Sequence, residues 1–232
     1  MDSKLPQPPS PDAVEPWLGE IVRERVLIEG RTFVIQRPAK SEHLIDHPAV
    51  RSAFAADEYL PYWADLWPAA RMLAKVLLRE SWKPGTEALE VGCGLGLPGV
   101  VALSAGLRVT FSDYDRTALR FAADNARLNG FSDFKTLVLD WRAPPSDLKV
   151  PVVLASDIAY EQRHVEPLVN VIAAVLAPGG VCLLTDHDRL PAQAFREALA
   201  GAGLGYNAAV VRASEPSGGR HKGTLYRICA PV

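Results

Sequence analysis

No apolar run in this 232-residue chain approaches the roughly 18 residues that a membrane-spanning helix needs. An apolar secretion core is missing too. The N-terminus runs through Pro6, Pro8, Pro9 and Pro11, so the expected setting is the cytoplasm, with no membrane partner. Cysteine is scarce: Cys93, Cys182 and Cys229 form no C-x-x-C pair and are odd in number, which argues against a disulfide framework and a zinc site, so no metal is expected. Charges nearly balance at a formal net of -2, and without a basic field tight nucleic-acid binding is not expected. What is present, 48% hydrophobic and 22% charged residues, is ordinary for a globular protein. Residues 1–18 read as a disordered Pro-rich tail and 19–232 as one domain, with a hairpin and helices over 19–80 and a core over 86–232.

The most informative stretch is residues 88–99. A short apolar run carrying Glu90 passes into Gly92, Cys93, Gly94 and Gly96, and the apolar segment over 97–105 continues as a helix. Strand, glycine turn and helix in that order present bare backbone and unpaired N–H groups to a nucleotide-like ligand. A dinucleotide fingerprint would need glycine at 97, and Leu97 stands there, so NAD is not the expected ligand. Asp113 closes the next strand, over 107–112, where a carboxylate can accept both ribose hydroxyls of a nucleoside lying across the turn. Asp115 is the natural N-cap of the following helix. A third strand, 134–139, ends in Asp140 and Trp141, which suit an adenine amine and an adenine ring face.

The remaining pattern supports an α/β fold. Residues 21–28 and 32–37 flank Glu29 and Gly30 as a hairpin, and the mixed segment 41–59 makes short helices, with His43 and His47 as solvated or capping groups. Residues 66–77 have helical spacing behind an aromatic-rich approach. Residues 150–156 form a nearly continuous apolar strand, as at the centre of a parallel sheet, and Ser156 and Asp157 stand at its carboxyl end, where such sheets bind ligands. A helix over 165–176, a Pro178-Gly179-Gly180 loop, a strand over 181–185, a helix over 192–199 and two closing strands complete the expectation. The fold class is a doubly wound, mostly parallel seven-stranded sheet, Rossmann-like, with an N-terminal hairpin and helical extension. His187 sits between Asp186 and Asp188 on the same rim. Adjacent residues cannot converge on one ion, so it is a rim group that can touch a substrate rather than a metal ligand.

The pattern Glu90-x-Gly92-x-Gly94-x-Gly96 resembles motif I of the S-adenosylmethionine (SAM)-dependent seven-strand methyltransferases. Pro61-Tyr62-Trp63-Ala64-Asp65-Leu66-Trp67-Pro68-Ala69-Ala70 resembles the leading helix of methyltransferase family 16, a branch of protein lysine methyltransferases, and Leu139-Asp140-Trp141-Arg142 resembles the same branch. The resemblance covers about residues 60–190. It implies SAM as cofactor, S-adenosylhomocysteine as product, and cofactor contacts from Trp67, Glu90, Gly92, Cys93, Gly94, Gly96, Asp113, Asp140, Trp141 and Ser156. Asp157-Ile158-Ala159-Tyr160 takes the place of the Asn/Asp-Pro-Pro-Tyr/Phe tetrapeptide of amine and nucleobase-amide enzymes. The resemblance therefore implies Asp157 and Tyr160 as catalytic residues, with Tyr62, Trp63 and His187 towards substrate. The wording also resembles members that methylate the β subunit of electron transfer flavoprotein, which makes that protein a candidate partner.

The implied chemistry asks little of the protein. A lysine amine titrates near 10.4, so its neutral form at pH 7 costs about 4 to 5 kcal/mol, which desolvation beside a sulfonium lowers. Asp157 would favour the ammonium, so its expected part is orientation, while Tyr160 and Trp63 offer ring faces to a methylated ammonium. A small-molecule amine methyltransferase and a SAM-binding interaction protein without turnover stay open as alternatives.

Overall fold

The structure is a computed structural model and describes residues 16–158, 161–187, 191–214 and 218–230. Tyr160 and most of the expected tail lie outside the described residues. At the end of that stretch Pro16–Leu18 form a 3-10 turn, with Leu18 buried.

Strands β1 (Ile21–Ile28) and β2 (Arg31–Pro38) pair as an antiparallel hairpin. A 3-10 segment (Ser41–Asp46), helix α1 (Pro48–Asp57) and a second 3-10 turn (Tyr62–Ala64) lead to α2 (Pro68–Arg79). The His47 side chain accepts from the Ala49 N–H at 3.3 Å and caps α1. There follow β3 (Glu87–Val91), α3 (Leu97–Ser104), β4 (Arg108–Asp113), α4 (Arg116–Leu128), β5 (Lys135–Val138) and β6 (Val150–Ser156). Then come α5 (Gln162–Val175), β7 (Leu176–Asp186), α6 (Ala192–Gly201), β8 (Gly205–Ser214) and β9 (Arg220–Cys229).

The larger sheet has seven strands in the order β5-β4-β3-β6-β7-β9-β8, parallel except for β9, which runs antiparallel to both neighbours. The chain winds outward from β3 through β4 and β5, then restarts at β6 and winds the other way. That reversal opens a crevice at the carboxyl ends of β3 and β6, where α/β sheets take their ligands. Apolar residues on one face of the sheet bury against α2, α3 and α4, including Leu73, Leu77, Val100 and Phe121. On the other face Leu168, Ile172, Phe195 and Leu199 come from α5 and α6. The loop expected at Pro178-Gly179-Gly180 is an unpaired excursion inside the span of β7, with Gly179 at φ of +69°. Leu176 already pairs with Val150, and a register shift between Val150 and Val152 absorbs the extra residues.

The hairpin is a separate two-stranded sheet tied down by polar groups. Glu24 pairs with Arg37 and with the nearly buried Arg71 of α2. On α4, Asn125 and Asn129 act as a substitute strand along the edge of β2. Asn129 accepts from Val34 N at 2.9 Å and donates to its carbonyl at 2.8 Å; Asn125 does the same for Gln36 at 2.7 and 3.2 Å. The match is geometric: four helical residues rise about 6.0 Å and two strand residues about 6.6 Å, so side chains at i and i+4 meet peptides at j and j+2.

Helix α3 is buried from Leu97 to Leu103 because it fills the space beneath α2 and α4. Gly99 permits that placement: a Cβ there would land on the Phe111 ring and the Glu90 carboxylate. Helix propensity alone favours Gly99→Ala by about 0.5 to 1 kcal/mol, whereas overpacking costs about 1 to 3 kcal/mol. Phe111 is fully buried and cannot yield, so packing should win. Urea denaturation of Gly99→Ala should show a net loss of about 1 to 2 kcal/mol, and a stabilised variant would refute this packing.

Candidate active site

The crevice at the strand ends is a cleft of about 360 Å³. Its floor is the turn after β3. Gly92 has φ of +63°, and a Cβ there would stand 2.9 Å from Ile158 Cγ2 and 3.2 Å from Trp141 Cζ2. Gly96 has φ of +76°, and its Cβ would meet that of Ala122 on α4 at 2.8 Å. These are places where only glycine admits both the backbone conformation and the neighbour. The turn is fixed from outside: Cys93 N donates to Ser112 O at 2.9 Å and Gly94 N to Asp113 Oδ2 at 2.9 Å.

Twelve of the fifteen expected site residues line the cleft: Tyr62, Trp63, Trp67, Gly92, Cys93, Gly94, Gly96, Asp113, Asp140, Trp141, Ser156 and Asp157. Glu90 does not. It is buried below the turn, where Oε2 accepts from Gly99 N at 3.0 Å and burial raises its carboxyl well above the usual range; its role is to anchor the start of α3. His187 also lies off the cleft, its ring 5.0 Å from that of His221. Its backbone N donates to Asp157 Oδ1 at 3.2 Å, so its contact with the site runs through the main chain. Tyr160, as stated, lies outside the described residues.

The acids differ in environment. Asp113 opens on the cleft but is otherwise enclosed, and desolvation pushes its pKa up to about 6 despite N–H donors from Asp115 and Gly94. Asp140 goes the other way: the Arg142 guanidinium bonds both of its oxygens, at 2.8 to 3.1 Å, and holds its carboxyl below the ordinary value. The carboxylate expected to meet an adenine amine is thus already engaged by a side chain two residues on. Asp115 caps α4 as expected, accepting from Thr117 N at 2.6 Å.

Asp115 does more than cap. Its other oxygen accepts from the Tyr59 hydroxyl, and that hydroxyl accepts from Trp63 Nε1 at 3.1 Å. Burial and the neighbouring Asp115 raise the Tyr59 phenol far above its ordinary value, so it stays a donor. Trp63 packs on Phe121 with ring centroids 5.2 Å apart and is only 7% exposed, which makes it mainly a wall. Trp67 Nε1 donates to Tyr62 O at 2.8 Å. At the mouth, Glu58 pairs with Arg163, which also reaches Glu161 at 2.7 Å, linking α1 to the start of α5. Sequence reasoning missed Glu58, Tyr59 and Arg163, and named Arg142 only within the Leu139–Arg142 stretch, without a role. Among the three missed residues only Tyr59 left a signal, its spacing of four residues from Trp63.

Residues 62–198 match the family model described as lysine methyltransferase. The chain is 32% identical over 126 residues to the histidine protein methyltransferase 1 homolog of Dictyostelium discoideum, covering 51% of this chain and 41% of that protein. It is 29% identical over 118 residues to the human histone-arginine methyltransferase METTL23, covering 46% and 60%. The chain spans about half the length of the curated relatives it matches. Among solved structures, the N-methyltransferase NodS of Bradyrhizobium japonicum, in complex with S-adenosylhomocysteine, superposes with a TM-score of 0.56 at 17% identity, over 79% of this chain and 97% of that one. That likeness establishes the fold.

The Tyr59 hydroxyl ties the approach segment to the N-terminus of α4, so Tyr59→Phe keeps the ring and deletes that link. It leaves the Trp63 indole N–H without this acceptor and should destabilise the protein by about 1 to 2 kcal/mol. Equilibrium unfolding in urea measures this. A midpoint equal to wild type would show that the network adds nothing net.

Proposed function

The chain belongs to the lysine methyltransferase family, and on that footing we propose that it transfers the methyl group of SAM to a side-chain nitrogen of a protein, lysine being the first candidate acceptor. The residues present suit this cofactor: a turn whose missing Cβ leaves room beside Trp141, a carboxylate at the end of β4, and a further indole, Trp67, on the wall. Gly92, Gly94, Gly96, Asp113, Trp67 and Trp141 are the residues that would hold it. When bound, SAM supplies a methyl group already activated on a cationic sulfur, so the protein has to bind, orient and exclude water.

Asp157 carries the acceptor side of this reading. It is 5% exposed, has φ of +55°, lines the cleft beside the glycine turn and is pinned through its N–H to Thr185 O at 2.9 Å. A non-glycine residue in the left-handed region costs about 1 to 3 kcal/mol and persists where the surroundings impose it, often at functional sites. A carboxylate favours an ammonium, so Asp157 is assigned to orienting the acceptor rather than to deprotonating it. The exposed rim residues Tyr62 and Tyr114, each 37% exposed, support a protein substrate over a small amine enclosed in a pocket. Histidine and arginine, named for the relatives above, are also side-chain nitrogens. The β subunit of electron transfer flavoprotein is one protein to assay.

Incubation with methyl-labelled SAM and cell extract, followed by hydrolysis of labelled protein, should yield methyl-lysine. Methyl-histidine or methyl-arginine would reassign the acceptor, label only in small molecules would overturn the protein reading, and no label would overturn turnover. Asp157→Asn should keep S-adenosylhomocysteine affinity and slow single-turnover transfer by about 100-fold. A wild-type rate would remove Asp157 from the site.

Asp113 supplies a pH signature. Its pKa of about 6 means that it takes up a proton as pH falls from 7 to 5. If the carboxylate form holds the cofactor, S-adenosylhomocysteine affinity should be full above pH 7 and fall up to about tenfold per unit below 6. Calorimetry should find this slope in wild type and a flat profile in Asp113→Asn. Equal slopes would assign the titration to another group.

A further inference from the structure

We propose that Asn125 is a positioning residue for the cofactor turn, and that the β1–β2 hairpin serves through it as a brace for that turn. The inference rests on the cofactor reading above. Asn125 is fully buried, and its amide has three partners: Oδ1 accepts from Gln36 N at 2.7 Å, and Nδ2 donates to Gln36 O at 3.2 Å and to Leu95 O at 2.9 Å. Leu95 stands between Gly94 and Gly96 and lines the cleft.

One planar amide therefore fixes a strand of the hairpin and a carbonyl of the turn relative to each other. A turn rich in glycine has few side chains of its own to restrict it, so restraint has to come from neighbours. Asp113 supplies it on the Gly94 N–H and Asn125 on the Leu95 carbonyl. The hairpin lies outside the segment that matches the family model, residues 62–198, while Asn125 lies inside it. The amide thus links an outer element to the cofactor floor.

Asn129 is an internal control. It makes the same pair of bonds to Val34, but its remaining donor bond goes to Asn125 O at 2.7 Å and not to the turn. A purely structural role would make the two asparagines equivalent. A brace would not.

The test compares Asn125→Ala with Asn129→Ala. Both should lower the thermal midpoint, because each unties one hairpin peptide. Only Asn125→Ala should weaken S-adenosylhomocysteine binding, by about tenfold, the scale of one lost buried hydrogen bond. It should also speed hydrogen exchange in the turn peptide of the ligand-free protein, and raise KM for SAM with kcat preserved at saturation. Equal cofactor affinity and equal turn exchange in the two variants would overturn the proposal. If wild type binds no S-adenosylhomocysteine, the cofactor reading fails, and the exchange comparison still judges the brace. Should Asn125→Ala not fold, Asn125→Ser, which keeps a small polar group at the site, supports the same comparison.

Discussion

A turn that must lie bare against a ligand cannot hold itself in place, and the structure is arranged around that difficulty. The chain after β3 loses its side chains at 92 and 96 so that Ile158, Trp141 and Ala122 can come close, and at 94 it lies against Trp63. Its conformation is then imposed by hydrogen bonds that its N–H groups donate to Ser112 and Asp113 on β4 and that Leu95 O accepts from Asn125 on α4, with Glu90 tying the first turn of α3 from below. Each restraint requires another element to be in register. The parallel pairing of β3 with β4 brings Ser112 beside Val91, and the docking of α4 brings Asn125 over Leu95.

The same dependence shapes the electrostatics. Three aspartates at the strand ends have one chemistry and different surroundings. Asp113 is enclosed and held above the carboxylate range, Asp140 is held below it by Arg142, and Asp115 divides itself between capping α4 and receiving Tyr59. The walls of the cleft are therefore largely made of groups that already have protein partners. In the proposed methyl transfer this suits a protein whose task is to place two reactants rather than to supply a reactive group, since rigid placement saves the reorganisation that solvent would demand.

How much of this was legible follows from the range of each signal. The hairpin, the Asp115 cap, the buried strand over Val150–Ser156 and the strand-turn-helix at Gly92 depend on neighbours within a few residues, and these were readable. The turn at Gly179 is flanked by paired strand on both sides, because Leu176 already pairs with Val150 before the ladder resumes at Val181, and that long-range pairing has no local signal. For Glu90 the place before the glycines implies a cofactor contact, while alternation in the strand turns its side chain under α3, where it accepts from Gly99 N. For His187 the sequence offers only a place at the strand end; which way its ring turns depends on the packing of His221.

The sequence by itself determined the α/β class, the glycine turn and most residues of the cleft, because β and α periodicity and the conformational demands of glycine are local properties of the chain. Tertiary structure alone decided which polar groups meet. Tyr59 with Asp115, Glu58 with Arg163, and Asn125 with both Gln36 and Leu95 join residues 56, 105, 89 and 30 positions apart. No local pattern encodes such pairings. They exist because the order of strands in the sheet and the docking of the hairpin on α4 bring distant backbone and side chains within hydrogen-bonding distance, where a buried polar group must find a partner.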